Sequence, residues 1–139
     1  MTRYAQCQCG ALRAEAEGEP DSVVVCSCLA CQRRSGSPIG MGIYFQQENV
    51  RFFGAARQYS RPGASGHAIH NFFCPDCGTT LYWTTDRDIG RIGIAAGAFA
   101  DPSLPKPTRS VYESTKHHWL QFGADIPGFV LGRDSERAR

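Results

Sequence analysis

Nowhere does this 139-residue chain approach the roughly 18 to 20 consecutive apolar residues that a membrane-spanning helix needs. That excludes a bundle of membrane helices. The opening Met1-Thr2-Arg3-Tyr4-Ala5-Gln6 reaches Cys7 before an apolar leader could fit, so a cytoplasmic location is expected. Charge of one sign is also missing. The net charge is +2, lysine occurs only at Lys106 and Lys116, and Glu15, Glu17 and Glu19 interrupt the N-terminal third. Without a concentrated basic face, nucleic acid is disfavoured as a partner. Internal repeats and low-complexity segments are absent. The length suits one hydrophobic core, so a single domain over residues 1–131 is expected. Beyond it, residues 132–139 are charged, lack apolar anchors and are expected to fray.

Cysteine is what the chain has in unusual measure. There are seven, an odd number that a pure disulfide framework cannot use up. They fall in three tight groups: Cys7-Gln8-Cys9, Cys26-Ser27-Cys28-Leu29-Ala30-Cys31 and Cys74-Pro75-Asp76-Cys77. Cysteines this close present sulfurs to a common ion more readily than they bond to one another. Soft thiolates favour zinc among the common ions.

The rest of the chain reads as short antiparallel strands with little helix. Leu12, Ala14 and Ala16 alternate with polar residues, and Val23 to Cys26 is β-branched. Ile39 to Phe45 and Val50 to Phe53 flank Gln46-Gln47-Glu48-Asn49, which suggests a hairpin connection. His67 to Phe73 leads into Cys74 and Thr79 to Thr84 leads away from Cys77, a metal knuckle at a hairpin tip. Arg91 to Phe99 suggests another strand, and the prolines from Pro102 to Pro107 an extended course. Helix is expected for at most a turn after Cys31 and another near Ser114 to Trp119.

A closed structural zinc takes four protein ligands, whereas a catalytic zinc takes three and keeps a position open. Seven thiols divide as four and three. Cys9 and Cys77 are each followed by glycine, Gly10 and Gly78, which permits the tight left-handed turn of a knuckle. Cys7, Cys9, Cys74 and Cys77 are therefore expected to form the closed site. Cys26, Cys28 and Cys31 remain as an open site unless a histidine folds back as a fourth ligand. Three thiolates leave a divalent ion with a net charge of about minus one, which blunts its power to activate water. Capture of another soft sulfur suits such a site better.

The ordered series Cys7-Gln8-Cys9-Gly10-Ala11-Leu12, Cys26 to Ser37, Phe73 to Thr79, Ala96 to Pro102 and Lys116-His117-His118-Trp119 resembles the glutathione-dependent formaldehyde-activating enzymes, a family that also contains centromere protein V. The resemblance implies a β-tent of short antiparallel sheets organised around zinc knuckles. It implies a structural zinc on Cys7, Cys9, Cys74 and Cys77 and a catalytic zinc on Cys26, Cys28 and Cys31, two per chain. It further implies a carbon-sulfur lyase acting on a thiol adduct of the S-(hydroxymethyl)glutathione type, with the substrate sulfur captured at the open zinc. The expected partner is a small thiol or thiol adduct, glutathione among them.

Arg33 and Arg34 follow the open site and are candidates to bind substrate carboxylates, as arginine does bidentately. Ser35 offers a hydroxyl nearby. His117 and His118 invite an acid-base role, as imidazoles do, but their neighbours Trp119 and Leu120 favour a packing role. The competing reading is a catalytically silent, zinc-stabilised binding module for protein or nucleic acid, which predicts a basic or aromatic patch.

Overall fold

The structure, a computed structural model, describes residues 1–139. In chain order its strands are β1 (Thr2–Gln6), β2 (Arg13–Glu17), β3 (Ser22–Cys26), β4 (Gly40–Gln46) and β5 (Val50–Phe53). They continue with β6 (Arg57–Pro62), β7 (Ala68–Phe73), β8 (Thr80–Thr85), β9 (Arg91–Ala95) and β10 (Arg109–Val111). The one α-helix, α1, spans Leu29–Ser35, and the fold is mainly β, as its residue patterns suggest. No helix is long and apolar enough to cross a membrane.

The chain divides into two compact units. The first comprises Met1–Asp21 and Ile43–Pro102. There, the alternation in Arg13-Ala14-Glu15-Ala16-Glu17 turns Ala14 and Ala16 into the interior, where both are buried. β2 pairs antiparallel with β1 on one side and β5 on the other. A second run of strands passes from β9 through β8 and β7 to β6, all antiparallel. Phe45, Leu12, Ile43, Leu81 and Ile94 form the fully buried centre of this unit. Tyr82 stacks between Phe52 and Phe72, with ring centroids 3.9 and 4.6 Å away, and so stiffens the β7–β8 hairpin.

The second unit comprises Ser22–Gly42 and Ser103–Arg139. Its β3 is buried from Ser22 to Val25, and β10 runs parallel to it with Ser110 opposite Val25. This parallel pair is an addition to the antiparallel pattern legible in the sequence. Three residues carry no periodicity by which β10 could be read.

Three local expectations are corrected. Gln46 to Asn49 is not a hairpin connection: Gln47–Asn49 form a 3-10 turn, and β5 goes on to pair with β2. The strand expected over Arg91 to Phe99 ends at Ala95, and Ala96–Phe99 is a 3-10 turn closed by Ala100 in the left-handed region at φ 48°. Helix begins before Cys31 and includes it, because Cys28 caps α1. The C-terminal residues, for which the sequence suggests fraying, are hydrogen-bonded: Val130 N to Glu136 O at 3.0 Å and Ala138 N to Gly128 O at 2.8 Å. Arg139 pairs with Glu113 and donates to the carbonyl of Ile126.

Candidate metal centres

Two turns of nearly the same build carry the four-cysteine group. In the first, the amide of Cys7 donates to Leu12 O at 2.9 Å, and Gly10 turns the chain at φ +82°. In the second, the amide of Cys74 donates to Thr79 O at 2.9 Å, and Gly78 turns at φ +80°. Each leading sulfur accepts an amide hydrogen bond, Cys7 from Leu12 and Cys74 from Asp76. Gly54 completes the first turn from outside, since a Cβ there would lie 2.0 Å from the carbonyl oxygen of Ala11. Thr79 joins the two turns: its hydroxyl accepts from the amide of Gln8 at 3.1 Å and donates to Cys77 Sγ at 3.3 Å.

The sulfurs fit a tetrahedral ion. A zinc-sulfur bond of about 2.3 Å places neighbouring sulfurs roughly 3.8 Å apart at tetrahedral angles. Cys7 Sγ lies 3.7 Å from Cys9 Sγ, and Cys9 Sγ lies 3.7 Å from Cys74 Sγ. A disulfide needs about 2.05 Å, and all seven cysteines are free. Cys7 and Cys74 are buried, Cys77 is half-buried and Cys9 is exposed.

Such crowding spreads the thiol acidities apart. Cys77 is drawn down to about 5, first by the Thr79 hydroxyl and then by backbone amides. Cys9 receives help from the Ala11 amide, but its thiol neighbours, Cys7 foremost, and burial outweigh it and push Cys9 up to about 12. Burial opposes ionisation of Cys7, yet the Leu12 amide and the Cys9 thiol carry it below its ordinary value. Four sulfurs this close cannot all ionise unless a cation joins them.

The second group is built differently. Cys26 ends β3, Cys28 is the N-cap of α1, and Cys31 lies in its first turn, donating its amide to Cys28 Sγ at 3.3 Å. All three are half-buried, and their sulfurs lie within 4.8 Å of one another. Their thiols raise Cys26, with Cys28 and Cys31 the main cause. For Cys31 the bond to Cys26 favours the thiolate, but Cys28 and burial prevail and the thiol is raised.

No histidine, aspartate or glutamate joins the trio. Both groups of sulfurs could therefore hold a metal ion, one with four protein ligands and one with three.

Around the trio, Gln32 organises the backbone. Its Nε2 donates to Ser27 O at 2.9 Å and to Thr115 O at 3.2 Å, and Thr115 Oγ1 donates to the same Ser27 carbonyl. Sequence reasoning missed Gln32, Thr115 and Thr79, since nothing in their residue types marks a contact with a segment dozens of residues away. Arg34 lies against the trio, with Nη1 4.0 Å from Cys31 Sγ, whereas Arg33 is exposed on the last turn of α1. The Ser35 hydroxyl donates to Ile39 O at 3.0 Å and serves the loop that follows the helix. His117 and His118 are both exposed; the His117 ring lies 5.5 Å from that of Trp119, centroid to centroid, and is tied to Gln32 Oε1 at 3.1 Å.

Comparison with known proteins gives a family and a fold. A family model described as glutathione-dependent formaldehyde-activating enzyme matches residues 2–115. No curated protein matches the chain. Among solved structures, a Rhodobacter sphaeroides protein shares the fold, with a TM-score of 0.56 at 20% identity over 73% of this chain and 90% of its own.

Proposed function

The chain belongs to the glutathione-dependent formaldehyde-activating enzyme family, and from that premise we propose that it is a zinc-dependent carbon-sulfur lyase acting on a thiol adduct of formaldehyde. Cys7, Cys9, Cys74 and Cys77 would hold a structural zinc, and Cys26, Cys28 and Cys31 a catalytic one. When bound at the trio, zinc supplies a Lewis-acidic position for a soft donor. The observation that carries the reading is the contrast between the two groups. Four sulfurs gather within 4.8 Å of one another in one, while the half-buried trio has no fourth protein ligand.

The chain's own residues define what happens there. The hydrogen bonds of Gln32 and Thr115 to Ser27 O fix the Cys26-Ser27-Cys28 backbone, so three sulfurs stay aimed at one point without a substrate to organise them. Arg33, exposed two residues beyond Cys31, is the proposed contact for a substrate carboxylate. In the adduct-forming direction, the thiol sulfur bonds to the carbon of formaldehyde, the carbon-oxygen π pair moves to oxygen, and the thiol proton ends on that oxygen. The reverse breaks the carbon-sulfur bond and returns the proton to sulfur. A small-molecule thiol, glutathione among them, is the proposed partner, and a cytoplasmic location suits a reaction that needs reduced thiols.

Metal content per chain, measured before and after dialysis against a moderate chelator, tests the reading. Two zincs are expected, one retained and one lost, with glutathione altering the rate of loss. Two zincs that resist equally would point instead to a catalytically silent module.

A further inference from the structure

Arg34 stands three residues after Cys31 on α1, the spacing that puts two side chains on one helix face. Its Nη1 donates toward Cys31 Sγ at 4.0 Å. A second observation shows that this placement is built. A Cβ added to Gly40 would lie 2.6 Å from Arg34 Nη2 and 3.0 Å from Cys31 Cβ. Gly40 is buried and has no positive φ, so its backbone could accept a side chain. What glycine provides is room for the guanidinium beside the sulfur. Ser35 keeps that room in place, because its hydroxyl holds the carbonyl of Ile39, the residue before Gly40.

We propose that Arg34 is a positioning residue whose fixed positive charge, seated by Gly40 against Cys31, enables the Cys26-Cys28-Cys31 centre to accept an anionic sulfur ligand. The inference rests on the reading that this centre takes a thiol. It replaces the expectation that Arg34 binds a substrate carboxylate. Three thiolates around a divalent cation sum to minus one, and a fourth thiolate must approach an anion. Arg34 brings the sum to zero. Arginine suits the task because it stays charged at any working pH, and its planar head fits the slot over a glycine.

The test uses the full chain loaded with cobalt(II), whose sulfur-to-metal absorption reports ligands directly. It is titrated separately with 2-mercaptoethanol, which has no carboxylate, and with glutathione, which has two. In the unaltered protein both thiols are expected to change the spectrum. Arg34→Gln should weaken both by about tenfold, a modest fraction of the interaction of unit charges at 4 Å in a partly solvated site. Arg34→Lys should recover part of the loss. Gly40→Ala, which leaves the arginine in the chain but fills its seat, should weaken both thiols in the same direction, and it decides the matter if Arg34→Gln does not fold. Weakening of glutathione alone would overturn the proposal in favour of carboxylate binding. Unchanged affinities in both Arg34→Gln and Gly40→Ala would overturn it while leaving the thiol reading intact. No spectral response to either thiol in the unaltered protein would overturn that reading and, with it, this inference.

Discussion

Gln32 holds His117 in one tautomer. The carboxamide cannot be turned over, because its Nε2 faces the carbonyls of Ser27 and Thr115, which only accept. Oε1 therefore faces His117 Nε2 at 3.1 Å, and the imidazole must carry a proton there. In the neutral ring Nδ1 is left as an acceptor. Nitrogen chemical shifts of the His117 ring are expected to show the Nε2–H form at pH values where the ring is neutral. Gln32→Ala should mix the tautomers and cost about 1 to 3 kcal/mol of stability, roughly one per lost hydrogen bond. A mixed population in the unaltered protein would refute the assignment.

The two groups of cysteines should respond differently to the same chemical change. Cys77→Ser removes one corner of a four-sulfur site with a buried base, and structural zinc sites contribute about 10 to 16 kcal/mol in small zinc domains. Loss of cooperative folding is expected, seen in thermal melts by circular dichroism. Cys28→Ser should keep the fold, because serine caps a helix well and can still accept the Cys31 amide. One zinc should remain. Unfolding of both variants would mean that the trio is structural too.

Acid should strip the four-cysteine site in a manner set by Thr79. The Thr79 hydroxyl and nearby amides hold Cys77 down to about 5 against an ordinary value of 9.0. A lowered folded-state value stabilises the folded chain above the unfolded-state value, and that contribution fades as pH falls through about 5. Protons and metal also compete for the same sulfur. Thr79→Val removes the donor, so zinc release, followed with a coloured indicator, should move to higher pH. Thr79→Ser keeps the hydroxyl and should stay near the original midpoint. Identical release curves for Thr79→Val and the unaltered chain would count against this account.

The C-terminal residues should matter for stability. The Glu113 side chain is only 7% exposed and is paired with Arg139. Arg139→Ala strands that carboxylate and is expected to cost about 2 kcal/mol, read as a lower urea midpoint. Truncation after residue 131 should cost at least as much. A truncated chain of unchanged stability would support the expectation of a frayed end.

Much of the candidate site was legible because its signals are local. Cys26, Cys28 and Cys31 lie between the end of β3 and the first turn of α1, so close spacing brings their sulfurs together. Gly10 and Gly78 marked the two knuckles because a positive φ leaves its trace in residue type. What was not legible depends on partners far along the chain. Val50 to Phe53 pairs with Arg13 to Ala16 instead of the strand just before it, and no pattern within a four-residue segment selects its partner. That Arg34 lies against Cys31 was not legible for a similar reason, since the guanidinium's place becomes visible only when Gly40 returns to face it.

Cys9 and Cys74 meet across 65 residues of chain, whereas Cys26 and Cys31 belong to a single six-residue segment. An ion that fastens the first pair removes a great deal of freedom from the unfolded chain, about 4 kcal/mol if it acts as a covalent cross-link over a loop of that length. An ion on the trio closes almost no loop and restrains little that its own turn had not already fixed. Exchange at the first centre thus requires the polymer to reopen a long loop, and should be slow for reasons unrelated to ligand chemistry. The second can gain, lose or share its ion while the chain stays put, which is the kinetic freedom a working centre needs.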